Sequence, residues 1–273
     1  MDLLDINDET ERRANVEIML SEIIGCRRSE LLTLDSSLDD EKFKLFESFL
    51  KRRASGEPLQ YILGETEFYG YRIKVDKNVL IPRPETEQLV ERVLEDIDRS
   101  GRESLRILEI GTGSGCISIA LSKELEKKNI EYNITGTDIS EEAVRVAVEN
   151  ISINEAKNLQ LIVEDFMGID SLEDYDYIVS NPPYISMEDF LLLDTGIKEH
   201  EPDVALTDKS DGLTFYRKMF TLLKEKSSQI KLFCEIGHEQ KEKLQQLLKD
   251  QNISDYNFYK DYNGIDRIME VKV

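Results

Sequence analysis

The sequence predicts an α/β fold: a doubly wound, seven-stranded sheet preceded by a small helical domain. Three observations carry that prediction. The apolar run Leu105 to Ile110 meets a glycine-rich corner and then the apolar segment Cys116 to Leu121, which together make the first strand-turn-helix of a doubly wound sheet. Strand-like and helix-like periods alternate from there to the C-terminus, whereas residues 1–66 carry only the helical period. The apolar, β-branched run Tyr177 to Val179 stops abruptly in front of Asn181, Pro182, Pro183 and Tyr184. Two consecutive prolines end a strand because each fixes φ and removes a backbone donor.

In chain order, Val16, Met19, Leu20, Ile23 and Ile24 form one helical stripe ending near Gly25, and Phe43, Phe46, Phe49 and Leu50 form another ending near Gly56. Ser37 with Asp40 is a candidate cap for the second helix, and its aromatic stripe is read as core. Residues 67–84 have hairpin character, with Tyr71 to Val75 and Val79 to Ile81 as strands around the turn Asp76 to Asn78. The prolines at 82 and 84 stiffen the entry to a domain over 85–273. Further strands are expected at Tyr132 to Asp138, Leu159 to Val163, Ile230 to Ile236, Tyr256 to Lys260 and Arg267 to Val273, the last two antiparallel. Ser140 caps the helix after the first of these, and a helix spans 239–250.

Ligands of such sheets bind at the carboxyl ends of the strands. Gly111, Thr112, Gly113, Ser114 and Gly115 form that corner, and a glycine there lets the backbone approach a ligand with no Cβ between. Cys116 stands where a dinucleotide fingerprint needs its third glycine, and no Gly-Lys-Ser/Thr ending follows, so nicotinamide, flavin and triphosphate P-loop readings lose support. Asp138 ends the next strand, where a carboxylate can accept both hydroxyls of a ribose. Asp165 and Phe166 follow the third strand and offer an acceptor and a ring for an adenine, or equally a turn acid and a core phenylalanine. After Val179, the side-chain oxygen of Asn181 and the carbonyl of Pro182 make a small acceptor cluster beside the ring of Tyr184. That cluster suits a planar –NH2 group. A plain strand-terminating turn is the alternative for these four residues.

Composition narrows the field. The formal net charge is −21, and the basic clusters Arg12-Arg13, Arg27-Arg28 and Lys51 to Arg53 are short and flanked by acids. Phosphate backbones are gripped by Lys and Arg, so direct nucleic-acid binding is not expected. Three scattered cysteines, Cys26, Cys116 and Cys234, fit reduced thiols in a cytosol. With two histidines and no Cys-x-x-Cys pair no metal site is expected. No apolar run reaches membrane-spanning length and the first nine residues are too acidic for a signal peptide, so a cytoplasmic protein is expected.

These motifs together resemble a family. Glu109 with the alternating glycines after a strand, the strand-end Asp138, the Asp165-Phe166 pair and Asn181 to Tyr184 are similar to the Rossmann-like class I S-adenosylmethionine-dependent methyltransferases that modify amide or exocyclic amino nitrogens. Pro58 to Gly64, Phe68 to Gly70, Leu80 to Glu87, Glu201 to Leu206, Asp211 to Leu213, Glu235 to Gly237 with Gln240, and Asp266-Arg267 resemble, more narrowly, the release factor glutamine N5-methyltransferases, the PrmC or HemK family. The resemblance implies S-adenosyl-L-methionine as cofactor and the glutamine of a Gly-Gly-Gln loop in class 1 peptide-chain release factors as substrate, with the helical domain helping to recognise the factor. It implies Asn181, Pro182, Pro183 and Tyr184 as the catalytic turn, and it places Arg83 and Glu85 at the border of the active site without a chemical role. An amide nitrogen shares its lone pair with the carbonyl, so activation has to come from acceptors that hold its two N–H groups and turn the lone pair toward the methyl. Two rival readings remain: an adenine-N6 DNA or RNA methyltransferase, and a non-catalytic adaptor that binds the cofactor and a translation factor.

Overall fold

The computed structural model describes residues 9–33, 38–172, 174–224 and 229–273. The chain forms two compact units, Met1–Glu65 with Asp194–His200, and Thr66–Leu193 with Glu201–Val273. Return of a segment near residue 200 to the first unit is a feature no local pattern announces.

The first unit contains α1 (Glu9–Ile24), α2 (Asp40–Ala54) and α3 (Leu59–Leu63). Gly25, at φ 78°, follows α1, as the glycine signal implies. The expected cap Ser37 lies outside the described residues; Asp39 caps α2, accepting the Lys42 N–H at 2.8 Å. The aromatic stripe is not core. No residue of α2 is buried, and Phe43 is 50% exposed. A unit this small has too little interior to cover every apolar stripe, and among its described residues the buried apolar ones are Met19, Tyr61 and Ile62.

The hairpin differs from expectation as well. Its strands are β1 (Glu65–Phe68) and β2 (Tyr71–Lys74), and they pair with each other. Both Tyr69 and Gly70 have positive φ, 54° and 77°, as a two-residue turn matched to strand twist demands. Glu87 steadies the turn by accepting the Tyr69 N–H at 2.7 Å. Val79 and Ile81 are buried without forming a strand.

Then follow α4 (Pro84–Ser100), β3 (Ser104–Ile110), α5 (Cys116–Lys127), β4 (Glu131–Asp138), α6 (Glu141–Asn154), β5 (Leu159–Val163) and β6 (Tyr177–Ser180). The short helices α7 (Met187–Leu192), α8 (Thr195–His200) and α9 (Asp203–Leu206) come next, α8 belonging to the first unit. The chain finishes with α10 (Thr214–Lys224), β7 (Lys231–Glu235), α11 (Lys241–Asp250), β8 (Tyr256–Lys260) and β9 (Asp266–Lys272). The seven-stranded sheet has the order β5-β4-β3-β6-β7-β9-β8. It is parallel through β7 and antiparallel at β9 and β8.

Chain order reverses between β3 and β6, so the crevice of a doubly wound sheet opens there. The register pairs Ile110 with Ser180, and Ser180 donates its hydroxyl to the Ile110 carbonyl at 2.8 Å. Gly111 and Asn181 therefore leave adjacent strands at the same level. Every residue of β6 is buried, which explains its unbroken apolar character. Tyr216, Met219, Phe220 and Leu223 of α10 join Ile178, Leu232 and Met269 of the sheet in one core cluster.

Asn150, fully buried in α6, ties the hairpin to the glycine corner. Its amide donates to the carbonyls of Lys74 and Ser114, each at 2.9 Å, and its oxygen accepts the Lys74 N–H. Asn150→Ala leaves the buried Ser114 carbonyl and two part-buried Lys74 backbone groups without this partner, and the expected loss is about 2 kcal/mol of unfolding free energy, read from urea denaturation.

Candidate functional site

One cleft gathers most of the residues singled out from sequence. Its lining includes Gly111, Thr112, Gly113, Ser114, Asp138, Asp165, Phe166, Asn181, Pro182 and Pro183, all from the carboxyl ends of β3, β4, β5 and β6. Arg83 lines it too. Gly115, Tyr184 and Glu85 do not.

The glycine corner divides its labour. Gly111 and Gly113, at φ 73° and 53°, have open space where a Cβ would stand, whereas a Cβ on Gly115 would meet Ala147 Cβ of α6 at 3.1 Å. Gly111 and Gly113 thus admit a ligand close to the backbone, and Gly115 admits a helix. Gly115 thus serves the packing of α6 and is not among the residues that line the cleft. The N–H groups of Gly111 and Thr112 bond the Thr137 carbonyl at 2.8 and 2.9 Å. Gly113 donates to Asp138 Oδ2 at 2.8 Å and Ser140 to Asp138 Oδ1 at 2.9 Å. Each Asp138 oxygen keeps a second lone pair for a ligand hydroxyl. Burial raises the Asp138 pKa, against those two backbone donors.

Phe166 is 4% exposed and stacks on Phe215 with centroids 6.4 Å apart, so it backs the cleft more as a wall than as an open platform. Asp165 turns one oxygen to the Met167 N–H. Ile139, 53% exposed, lines the cleft directly after Asp138. Sequence reasoning misses it; the available signal is an apolar residue between a strand-end acid and a helix cap.

Glu109 is the buried acid of the site. Its Oε2 accepts from the Thr112 hydroxyl, the Ser118 hydroxyl and the Ser118 N–H, at the N-terminal end of α5, where a negative charge is favoured. Its Oε1 is buried and has no partner among the described residues. Burial foremost, with the nearby Asp138 charge, pushes its pKa up to about 7 against those three donors.

Around the proline turn, Asn181 Nδ2 donates to Thr86 Oγ1 at 3.2 Å, and Thr86 donates to Glu235 Oε2 at 2.6 Å. No backbone donor among the described residues meets the Pro182 carbonyl. Tyr184 turns inward: its hydroxyl donates to Glu235 Oε1 at 3.2 Å and its ring packs on the core cluster. The ring is half-buried and is not among the residues that line the cleft, and its hydroxyl has an acceptor in Glu235, as a buried tyrosine hydroxyl usually does. Gln240 clamps the end of the turn, donating to the carbonyls of Tyr184 and Gly212 and accepting the Gly237 N–H. A Cβ on Gly212 would stand 2.2 Å from the Tyr184 carbonyl oxygen.

Among the described residues no cluster of His, Cys, Asp or Glu has the geometry to hold a metal, and no helix is long and apolar enough to cross a membrane.

Comparison with known proteins agrees with this architecture. Residues 3–64 match the family described as the PrmC N-terminal domain, and residues 102–266 match the family described as a methyltransferase domain. A release factor glutamine methyltransferase of Thermodesulfovibrio yellowstonii is 37% identical over 92% of this chain and 89% of its own length. One of Lactococcus lactis subsp. lactis is 38% identical over 89% and 88%. The chain spans 65% of the length of another, from Fusobacterium nucleatum subsp. nucleatum, 41% identical over 236 residues. Among solved structures, the hMettl16 catalytic domain in complex with MAT2A 3′UTR hairpin 6 shares the fold at a TM-score of 0.60 and 18% identity, over 82% of this chain and 81% of that one.

Because folding raises the Glu109 pKa from 4.5 to about 7, the folded state holds the extra proton in that window, and stability falls as pH rises through it. Relative to Glu109→Gln, the native chain is expected to lose on the order of 3 kcal/mol between the two values, read as the difference of urea unfolding free energies at about pH 4.5 and about pH 8.

Proposed function

The chain belongs to the release factor glutamine methyltransferase family, and from that premise we propose that it transfers a methyl group from S-adenosyl-L-methionine to the side-chain amide nitrogen, N5, of the glutamine in the Gly-Gly-Gln motif of class 1 peptide-chain release factors. The observation that carries this reading is the meeting of two acceptors, Asn181 and Pro182, with a glycine-lined cleft at the sheet's switch point.

The cleft's residues fit the donor. Asp138 offers a lone pair on each oxygen to a ribose diol, with Ile139, Asp165 and Phe166 bordering the place for the base. Gly111 and Gly113 leave room for close approach. The unpartnered Oε1 of Glu109 is a ready acceptor for the ammonium of an amino-acid moiety. Bound there, the donor supplies an electrophilic methyl on a sulfonium sulfur.

The remaining chemistry belongs to the turn. The Asn181 side-chain oxygen and the Pro182 carbonyl accept the two N–H bonds of the glutamine carboxamide, hold its nitrogen in place and favour a pyramidal geometry with the lone pair toward the methyl. As positive charge develops on nitrogen these acceptors bind more strongly, each worth roughly 3 kcal/mol at the transition state. Positioning for in-line attack supplies the rest. No base is needed before transfer, and the surplus proton passes to water afterwards. Tyr184 acts from behind, as a prop for the turn.

Two measurements test this function. Incubation with a release factor and the donor, followed by peptide mass mapping, is expected to find one methyl on the Gly-Gly-Gln peptide; label entering DNA or RNA instead would decide for an adenine-N6 enzyme. Asn181→Ala is expected to lower kcat by roughly 10²- to 10³-fold, and full activity in that variant would decide for a non-catalytic adaptor. For the donor site, Asp138→Ala is expected to weaken donor binding about tenfold or more in titration calorimetry, since the lost hydrogen bonds go to a charged group.

A further inference from the structure

We propose that Thr86 and Glu235 are positioning residues for this transfer, together compelling the Asn181 carboxamide to present its oxygen, rather than its nitrogen, to the methyl acceptor. The proposal rests on the function just described, in which that oxygen receives an N–H of the glutamine.

An asparagine carboxamide has nearly the same shape in its two flipped orientations, so only its hydrogen-bond partners choose between them. Here the choice is made from behind. Glu235, at the end of β7, is 1% exposed, and Thr86, in the first turn of α4, is 2% exposed. A carboxylate only accepts. The single hydroxyl proton of Thr86 therefore goes to Glu235 Oε2, 2.6 Å away, and the face that Thr86 turns to Asn181 is a lone pair. Of the two ends of the carboxamide, only the –NH2 suits a lone pair, and Asn181 Nδ2 stands 3.2 Å from Thr86 Oγ1. The oxygen is left for the cleft that Asn181 lines. In the flipped orientation two oxygens would face each other with no proton between them, and a nitrogen would meet the incoming N–H.

The second oxygen of Glu235 takes the Tyr184 hydroxyl at 3.2 Å, so one buried carboxylate orients both ends of the proline turn. Its strand is held in turn by the Tyr216 hydroxyl, which donates to the Glu235 carbonyl at 2.7 Å. Burial foremost, with the Glu85 charge, raises the Glu235 pKa above its ordinary value; the Thr86 and Tyr184 hydroxyls and the Arg267 guanidinium oppose that rise and favour the carboxylate on which the chain of directions depends. None of this requires Thr86 or Glu235 to touch the substrate.

The test reads the Asn181 amide itself, by ¹⁵N NMR of the full chain, with Asn181→Ala identifying its side-chain signal. In the native protein the Nδ2 protons are expected to exchange slowly with solvent. Thr86→Val and Glu235→Gln are expected to speed that exchange at least about tenfold and to lower kcat roughly 10- to 100-fold, the scale of one or two hydrogen bonds, with KM for the release factor and Kd for S-adenosylmethionine changed by less than about threefold, well under one hydrogen bond. Thr86→Ser, which restores the hydroxyl, is expected to return both readings close to native. Glu235→Gln keeps the shape of the side chain and serves if Thr86→Val does not fold. Unchanged exchange and kcat in the variants would overturn the proposal, and so would a loss shared equally by donor affinity and melting temperature, the mark of a merely structural role. Amide exchange is read without substrate. A native protein that methylates no release factor therefore sinks the proposed function, while the amide signals alone still decide whether Thr86 and Glu235 orient Asn181.

Discussion

Two parallel strands leaving the sheet side by side are the constraint on which the site depends. Because β3 and β6 are paired with Ile110 opposite Ser180, the glycine corner and the proline turn emerge at the same level although 70 residues of chain separate that pair. Every side chain of β6 is buried, so no exposed face distinguishes one register from the next; the ladder with β3 and the Ser180 hydroxyl on the Ile110 carbonyl mark the register that is adopted. The crevice is a product of sheet packing before it is a product of any catalytic side chain.

Within the crevice, rigid backbone takes the part that flexible side chains take elsewhere. Prolines leave a carbonyl without a ladder partner, and glycines leave space without a Cβ. Both are useful only if something behind them is firm. That firmness comes from buried polar groups: Asn150 fastens the glycine corner to the hairpin and α6, Gln240 fastens the end of the proline turn, and Glu235 gathers Thr86 and Tyr184. Buried polar groups are costly when unsatisfied and strongly specifying when satisfied. Their concentration around a single turn explains why segments as distant as Leu80 to Glu87, Asp211 to Leu213 and Glu235 to Gln240 accompany Asn181 to Tyr184 in the sequence.

Much of the sheet is legible in the chain. The strands after residue 100 fall close to the apolar runs that announce them, because a buried parallel strand has little choice but to be apolar. The hairpin is harder to place because Asp76 to Asn78 looks like a stronger turn than Tyr69-Gly70, and a tyrosine at positive φ is unusual. The aromatic stripe of α2 looks like core because periodicity reports that a helix has an apolar face, not that anything covers it. Gly115 and Tyr184 look ligand-facing for the same reason in reverse: residue type suggests a contact, and packing against Ala147 and Glu235 supplies a different one.

By itself the sequence determined the strands of the large sheet in chain order, the glycine and proline corners, and the chemical kind of ligand those corners suit, since these follow from local periods and from what glycine, proline and a strand-end acid each do to a backbone. Only the tertiary structure decided which lone pair faces where. The direction of the Asn181 carboxamide, the unpartnered oxygen of Glu109 and the inward turn of Tyr184 depend on partners brought together by folding, and a hydrogen bond's direction is a property of the assembled pair that neither residue carries alone.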